Sequence, residues 1–360
     1  MEHLQHFGLS EDPFRNEPRL RDFIDSPGSR DALARLDRGL RQNKGLLVLT
    51  GDVGCGKTMV VRRLLDRLEE EVFDACMLVV LNGAADASWI LASFARQLGI
   101  DEPEREREAM LGQVYEQLCI IREDGRHAVL IIDDAHALAA SSALADVCGL
   151  LKLEYEERRL FSLVLAGGPE LEAAIAADPT LSRRVEINVR MAALDPAAAA
   201  EYLGERVAAA GGDPTILAAD AVETLHVLSG GLPGLMNTLA DNALFGAFLA
   251  GRRCVGEADV ARAHRDLSWN NVPASPGLAT PASSSAEADV TLEIAAPPAV
   301  DMESTILLTE AHGIAGDSPG DLDSELDAAF AATRSRGGPT EGPPKDADRE
   351  EDLVATLLED

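Results

Sequence analysis

Residues 46–50 read LLVLT and continue without a break into residues 51–58, GDVGCGKT. The first run has the leucine and valine content of a buried strand, and the second has the spacing of glycines, lysine and threonine that defines a phosphate-binding loop. A helical pattern begins at the threonine, so the strand, loop and helix that this motif requires occur in order. The stretch predicts a P-loop nucleotide site, and a glycine-rich turn without a ligand is the weaker interpretation.

Each part of the loop has a predicted role. Its glycines allow a tight turn whose backbone N–H groups surround phosphate oxygens, and the following helix directs its positive end at the same charge. The Lys57 ammonium is expected to reach the β- and γ-phosphates of ATP, and the Thr58 hydroxyl to bind Mg²⁺. The residues predicted to contact the nucleotide are Gly51, Asp52, Val53, Gly54, Cys55, Gly56, Lys57 and Thr58.

A second motif, AVLIIDD at residues 128–134, puts two carboxylates at the end of an apolar run. Ligands of parallel sheets bind at the carboxyl ends of the strands, where these acids would lie. Asp133 is expected to hold Mg²⁺ through water, and Asp134 to orient or activate the attacking water. An isolated acidic pair is better interpreted as a solvated turn, but beside a complete P-loop the catalytic interpretation is preferred.

The remaining pattern predicts an α/β fold, a P-loop NTPase with a parallel five-stranded sheet and helices on both faces. Strands are expected at residues 46–50, 76–81, 128–132, 161–166 and 185–189. Helices are expected at 29–41, 58–70, 88–98, 106–122, 141–156 and 170–176. After residue 194 the strand signals stop, and helical periodicity recurs at 197–209, 218–228, 232–249 and 257–267.

Charge and cysteine usage narrow the functional classes. The net charge is −30, and the segment after residue 270 holds 19 of the 62 acidic residues but only 4 of the 32 basic ones. An acidic chain repels phosphate backbones, which disfavours non-specific nucleic-acid binding and favours protein partners. The five cysteines lack paired or metal-ligand spacing and are expected to be reduced core thiols. No leader or membrane-length apolar run is apparent, so a cytoplasmic location is expected.

From residue 2 to about 267 the sequence resembles the AAA+ ATPases of the general secretion pathway protein A family, also called the ExeA family. The blocks that carry the resemblance are FGL at 7–9, PF at 13–14, RDALARL at 30–36, LTGDVG at 49–54, AGGPEL at 166–171, SGGLP at 229–233 and LADNAL at 239–244. The resemblance implies that the helical part is a small AAA+ lid. The expected organisation is an N-terminal extension with a leading helix (1–44), an ATPase domain (45–194), a lid (195–268) and a disordered acidic tail (269–360).

Three positions depart from the pattern of that family. Its members usually carry Glu where this chain has Asp134, a polar Gln where it has Gly168, and Arg where it has Gly234. Preorganised polar groups of this kind each contribute about 3–4 kcal/mol to transition-state stabilisation. We therefore expect ATP binding with slow hydrolysis, and we expect restoration of Glu and Arg at these positions to raise the rate.

The resemblance also implies an arginine finger near residues 181–185, LSRRV. Arg184 stands in the better-matching place, with Arg183 beside it, and would act on the nucleotide of a neighbouring subunit in a homo-oligomer. A basic pair at a solvated helix end is the competing interpretation.

The favoured function is a nucleotide-dependent switch or adaptor in the assembly of a protein complex. Secretion-linked family members add a transmembrane helix and a peptidoglycan-binding region after the ATPase, and this sequence shows neither. The alternatives are a TniB-like DNA transposition regulator and a scaffold that retains nucleotide without turnover. A protein partner would bind through the lid or through three short apolar segments of the tail, at residues 290–294, 305–308 and 353–358. Random sequence drift in a linker is an equally good explanation of these segments.

Overall fold

The computed structural model describes residues 2–80 and 86–267, so the predicted acidic tail and residue 81 lie outside the described residues. Within these ranges the strands are β1 (Leu46–Gly51), β2 (Phe73–Val79), β3 (His127–Asp133), β4 (Glu154–Tyr155), β5 (Arg158–Arg159), β6 (Phe161–Gly167) and β7 (Val185–Met191). Five of them form a parallel sheet in the order β2-β3-β6-β1-β7, and β4 pairs with β5 alone. The predicted five-stranded parallel sheet is confirmed.

The helices of the described residues are α1 (Glu2–His6), α2 (Pro27–Arg41), α3 (Lys57–Arg67), α4 (Ala87–Gln97), α5 (Arg107–Glu123), α6 (Ala143–Gly149), α7 (Pro169–Ala177), α8 (Pro179–Arg184), α9 (Pro196–Ala209), α10 (Ala219–Ser229), α11 (Pro233–Leu249) and α12 (Glu257–Asp266). The three central strands β1, β3 and β6 are buried along their whole length. Their near-continuous apolar sequence follows from this, because helices cover both faces of the sheet. The carboxyl ends of the same strands carry the P-loop and the acidic pair.

The two faces of the sheet bury separate apolar clusters. Alternate residues of β3 separate to opposite sides, so Leu130 packs with Phe94 and Val114 from α4 and α5. Ile131 packs on the other face with Leu36 of α2 and with α3. Because β3 is packed on both faces, its backbone is rigid. The acidic residues at its carboxyl end are therefore held in a fixed position.

A third cluster forms the core of the helical lid, α9 to α12. The N-terminal segment packs into it through Leu4, Phe7, Leu9 and Phe14. Residues 4–14 therefore lie on the lid, and the segment that follows reaches the sheet domain through Phe23 and α2. The predicted order of elements did not anticipate this contact, because it joins residues about two hundred positions apart.

The helix predicted at 141–156 is wrong in its second half. Helix α6 ends at Gly149, a 3-10 turn covers Leu150–Lys152, and the β4–β5 hairpin follows. The hairpin turn consists of Glu156 and Glu157, both with left-handed backbone angles (φ 50° and 60°). Two-residue hairpin turns of this hand match the twist of the strands, although they are usually built from Asn and Gly. The acidic composition of the turn resembles an exposed helix surface, which explains the wrong prediction.

The cysteines are less uniformly buried than predicted. Cys55, Cys76 and Cys148 are buried, whereas Cys119 is half-buried and Cys254 is exposed. Burial raises the pKa of the Cys76 and Cys148 thiols to about 12. None of the helices in the described ranges is both long and apolar enough to cross a bilayer.

Candidate nucleotide site

The P-loop connects β1 to α3 and turns through left-handed backbone conformations. Gly56 is the N-cap of α3 with φ 99°, and Gly54 has φ 84°. Residues with a side chain rarely adopt such angles, so glycine is needed at both places. The turn leaves the first N–H groups of α3 directed into a cleft, where they are free to bind an anion.

Lys57 is held in place by its own loop. The side chain is 8% exposed, and its Nζ donates hydrogen bonds of 2.8 Å and 3.0 Å to the carbonyl oxygens of Gly51 and Asp52. Phosphate oxygens are charged and form stronger hydrogen bonds with an ammonium group than neutral carbonyls do. The cation is therefore positioned at the loop, where it is able to exchange carbonyl contacts for phosphate contacts.

The two predicted metal ligands lie together. The Thr58 Oγ1 hydroxyl donates a 2.8 Å hydrogen bond to Oδ2 of Asp133. Asp133 is 1% exposed, and its Oδ1 has no hydrogen-bond partner within the described residues. Burial raises the pKa of this carboxyl, and the hydrogen bond from Thr58 opposes the rise. A hydroxyl beside a buried, half-satisfied carboxylate is the all-oxygen donor set that Mg²⁺ prefers, so the residues present fit that ion.

Asp134 directly follows β3 and has a left-handed backbone conformation, with φ 55°. Asp tolerates this conformation better than most residues with a side chain. The next residues, Ala135–Leu138, form a 3-10 turn that brings His136 beside the acid, with 3.8 Å between His136 Nδ1 and Asp134 Oδ1. Both side chains line the cleft. The sequence pattern did not single out His136, although it stands two residues after the acidic pair in DDAH.

The cleft has a volume of about 330 Å³ and three walls. This volume is at the lower end of the range for small-molecule sites. The first wall is the P-loop with Asp134, His136 and Gly168, and the second is the N-terminal segment from Arg15 to Ser29. The third comes from the lid and contains Tyr202, Arg206, Pro233, Gly234 and Asn237.

Polar contacts between the lid and the N-terminal segment shape the end of the cleft away from the phosphate loop. Arg206 is 7% exposed and donates hydrogen bonds to the carbonyl oxygens of Pro13 (2.6 Å), Arg15 (2.8 Å) and Asp22 (3.1 Å). The buried Asn237 donates to Asn16 at 3.2 Å and accepts from the Tyr202 hydroxyl at 3.0 Å. Local sequence carries no signal for these contacts, because their members are far apart in the chain.

The two glycines that replace expected polar groups have different surroundings. A Cβ on Gly168 would lie 2.5 Å from Oε2 of Glu170 and 3.9 Å from Cγ of His136. The carboxylate is the end of a flexible side chain and is able to move. A Cβ on Gly234 would lie 3.1 Å from Cα of Gly54, which is backbone. A side chain therefore has room at the first position and not at the second.

The arginine pair lies elsewhere. Neither Arg183 nor Arg184 is among the described residues that line the cleft. Arg184 is half-buried at the end of α8, and its Nη1 donates a 2.7 Å hydrogen bond to the carbonyl oxygen of Cys148. Arg183 is exposed. Of the predicted residues, those that line the cleft are Val53, Gly54, Cys55, Gly56, Lys57, Thr58 and Asp134. Gly51, Asp52 and Asp133 are not among its lining residues and adjoin it through their hydrogen bonds with Lys57 and Thr58, and Arg184 is outside it.

Comparison with known proteins gives consistent matches. Residues 40–175 match the AAA domain family. The chain is 30% identical over 269 residues to General secretion pathway protein A of Aeromonas hydrophila, across 74% of this chain and 48% of that protein. It is 33% identical over 136 residues to the ORC1-type DNA replication protein of Cenarchaeum symbiosum, across 35% of this chain and 33% of that protein. The chain therefore spans about half and a third of these two relatives, respectively.

Among solved structures, the Aeropyrum pernix ORC2 protein, determined as ADPNP and ADP complexes, superimposes with a TM-score of 0.54. The alignment covers 74% of each chain at 17% sequence identity. At that identity the match establishes a common fold. This fold match is consistent with the match of residues 40–175 to the AAA domain family.

Proposed function

We propose that this chain, which belongs to the AAA+ family and is related to the ExeA-like proteins, binds ATP with Mg²⁺, hydrolyses it slowly and uses it to control the position of its lid. The observation that carries the proposal is the construction of the cleft. The phosphate loop, the N-terminal segment and the lid each contribute one wall, so a nucleotide in the cleft contacts all three.

Ground-state binding needs the P-loop amides, Lys57, Thr58 and Asp133. The Lys57 ammonium would bind the β- and γ-phosphates, and the α3 N-terminus would add its partial positive charge. Thr58 and Asp133 would hold Mg²⁺, which when bound neutralises phosphate charge. These groups are already assembled around the loop, which supports binding without a large rearrangement.

ATP hydrolysis also needs groups that activate the water and stabilise the transition state, and the proposed site has fewer of these groups than the family usually has. Asp134 lies at the end of a rigid strand and would accept a proton from the attacking water. The family's usual polar side chains at positions 168 and 234 are replaced by glycine, so transition-state stabilisation is reduced while ground-state contacts are kept. Slow hydrolysis suits a switch whose bound state must persist.

The switch would act through the lid. Helix α11 contacts the P-loop, and Arg206 of α9 anchors the N-terminal segment. A ligand shifts a conformational equilibrium only by its difference in affinity for the two states. A nucleotide that touches all three walls of the cleft would favour the closed arrangement over an open one and so provide that difference.

The test compares the wild type with Lys57→Ala and with the exposed control Arg253→Ala. Equilibrium binding of a fluorescent ATP analogue should be at least about 100-fold weaker in Lys57→Ala, because charge-assisted hydrogen bonds contribute about 1.5–3 kcal/mol each. The distance between spin labels on the lid and the sheet domain should shorten with ATP in the wild type and in the control only. Unchanged affinity in Lys57→Ala would overturn ATP binding, and an unchanged distance would overturn the switch.

A role for Arg184 in a homo-oligomer is part of the proposal. The side chain lies outside the cleft of its own chain, which is the placement that action on a neighbour requires. Hydrolysis per subunit should then rise with protein concentration in the wild type, and Arg184→Ala should remove that dependence. A rate per subunit that is independent of concentration would count against it.

Nucleotide-controlled DNA binding is a second candidate, favoured by the similarity to an ORC1-type DNA replication protein. The acidic composition opposes it. If DNA is the partner, ATP should promote binding to duplex DNA, and affinity should fall steeply as salt rises. Capture of a protein partner through the lid or the tail, with no affinity for DNA, would support the adaptor role instead.

A further inference from the structure

We propose that His136, together with Asp134, holds the water that attacks ATP, and that its imidazole takes the place of the side chain missing at Gly168. The proposal rests on the ATPase activity inferred above and identifies a residue for that reaction. It is argued from the position of the ring, its partners and the space around it.

The turn that carries His136 is fixed to the sheet. Ala135 and Leu138, on either side of it, are buried in the core, and the ring between them faces the cleft. The backbone N of His136 lies 2.9 Å from where a Cβ on Gly167 would be, so the turn packs directly on the end of β6. A side chain on such a base is held in position, as a group that orients water must be.

The imidazole is close to Asp134 but is not bonded to it. The 3.8 Å between Nδ1 and Oδ1 is too long for a hydrogen bond, and Nδ1 is buried without a hydrogen-bond partner within the described residues. The side chain as a whole is 36% exposed and lines the cleft, so the accessible edge of the ring is the one that carries Nε2, and that nitrogen and the 47% exposed Asp134 carboxylate are both able to contact one water molecule. The pair therefore provides two anchoring points for a water at the carboxyl end of β3.

The same ring borders the position of the missing group. The 3.9 Å between the His136 ring and a Cβ at Gly168 means that a polar side chain from residue 168 would enter the space beside the imidazole. Glu170 is also near, but a carboxylate repels the γ-phosphate and is a poor substitute for an uncharged side chain. His136 is thus the polar side chain without a negative charge that is best placed beside Gly168 to perform this role.

The reaction balances with these groups alone. The water oxygen forms a bond to the γ-phosphorus, and the bond from that phosphorus to the β,γ-bridging oxygen breaks with its electron pair remaining on ADP. Asp134 takes one proton from the water. His136 accepts a hydrogen bond from the second proton and keeps the lone pair of the water directed at phosphorus. Because the imidazole contacts the water rather than the phosphates, kcat depends on it and nucleotide affinity does not.

The experiment measures ATP binding, kcat and KM in four proteins: the wild type, His136→Ala, His136→Gln and the double variant His136→Ala with Gly168→Gln. His264→Ala, on α12 away from the cleft lining, is the matched control. In His136→Ala we expect kcat to fall about 100-fold, as for loss of one preorganised hydrogen-bonding group. The nucleotide Kd should stay within about twofold, since ground-state contacts are untouched. His136→Gln and the double variant should each recover most of the loss, because an amide restores a neutral hydrogen-bonding group beside the water.

The outcomes separate this inference from the proposed function. Weaker nucleotide binding or a lower melting temperature in His136→Ala, in proportion to its loss of kcat, would assign the residue a structural role and overturn the inference. Unchanged kcat would overturn it directly. A wild type that binds ATP without turning it over would also overturn it while leaving ATP binding intact, and failure of the wild type to bind ATP would remove both.

Discussion

The backbone N–H of Gly234 donates a 2.9 Å hydrogen bond to the carbonyl oxygen of Gly54, which joins the lid directly to the phosphate loop. Gly234 is the second residue of α11, where helix N–H groups have no partner within the helix. The loop supplies that partner. Because both residues are glycines, the two backbones approach closely. Under the proposed switch, movement of the loop around a nucleotide would be transmitted to α11 through this contact.

This contact corrects one expectation drawn from the family resemblance. Gly234→Arg was expected to restore a missing sensor, but a side chain there meets the backbone of Gly54. We predict that Gly234→Ala lowers stability by about 1–3 kcal/mol through overpacking. We also predict that Gly234→Arg fails to raise ATP hydrolysis. Thermal melting and phosphate release measure the two effects.

The matched control for this prediction lies on the same helix. An added Cβ at Gly246 meets nothing within 4 Å, so Gly246→Ala should be neutral or stabilise by about 0.5–1 kcal/mol. Equal effects at the two glycines would show that helix propensity, and not the contact with the P-loop, decides the outcome.

Asp134 occupies the predicted catalytic position and has a left-handed backbone conformation. We predict that Asp134→Asn keeps nucleotide affinity and loses most turnover, because an amide accepts no proton. Asp134→Glu should raise kcat by extending the carboxylate toward the water. It should also lower stability by about 1 kcal/mol, since Asp tolerates the left-handed conformation better than Glu. Steady-state phosphate release with parallel melting curves tests this, and a stable Asp134→Glu protein with unchanged kcat would contradict it.

Arg206 holds the N-terminal wall of the cleft. Arg206→Ala leaves three backbone carbonyls without their donor, at about 1–3 kcal/mol each where they are buried. We predict a large drop in melting temperature and weaker ATP binding, because the segment from Arg15 to Ser29 loses its anchor. The exposed control Arg253→Ala should change neither. An Arg206→Ala protein with normal stability and normal ATP affinity would show that the apolar contacts of the segment suffice.

His127 makes stability depend on pH. It is 4% exposed, and its Nε2 lies 2.8 Å from Ser162 Oγ, which itself donates to the carbonyl oxygen of Lys44. Ser162 therefore accepts a hydrogen bond from Nε2–H. The buried Nδ1 has no hydrogen-bond partner within the described residues, so a second proton there would lack an acceptor and the neutral ring is favoured. Burial, reinforced by Arg122, lowers the pKa of His127 to about 4.

The sign of the pH effect follows from that lowered pKa. Below about pH 6.5 His127 is protonated in the unfolded chain but stays neutral in the folded chain. The free energy of unfolding therefore decreases as the pH is lowered from about 6.5 to about 4. The contribution is fully present above about pH 6.5 and is smaller by about 2 kcal/mol at about pH 5. Urea unfolding over this range should show a flatter profile for His127→Gln than for the wild type. Parallel profiles would mean that other groups dominate the pH dependence.

The sheet and the phosphate loop could be predicted because their signals are local. Apolar runs such as residues 128–132 are buried strands wherever helices cover both faces of a sheet, and the loop pattern specifies its own backbone. Thr58 and Asp133 could be assigned to one site in advance because the carboxyl ends of all strands of a parallel sheet lie at the same edge, even though β6 separates β1 from β3. Except for the helix predicted at 141–156, the predicted helix ends lie within three residues of the observed ones, because helical periodicity is also a local signal.

The sequence by itself determined the elements, the loop and the acidic pair, whose signals lie within a few neighbouring residues. Only the tertiary structure decided the rest. The tertiary structure packs the N-terminal segment against the lid and brings Gly234 into contact with Gly54. It also places His136 beside Asp134 and leaves Arg184 outside the cleft. Each of these relationships joins side chains or backbones that chain spacing does not relate, and the packing of complete elements sets their distances.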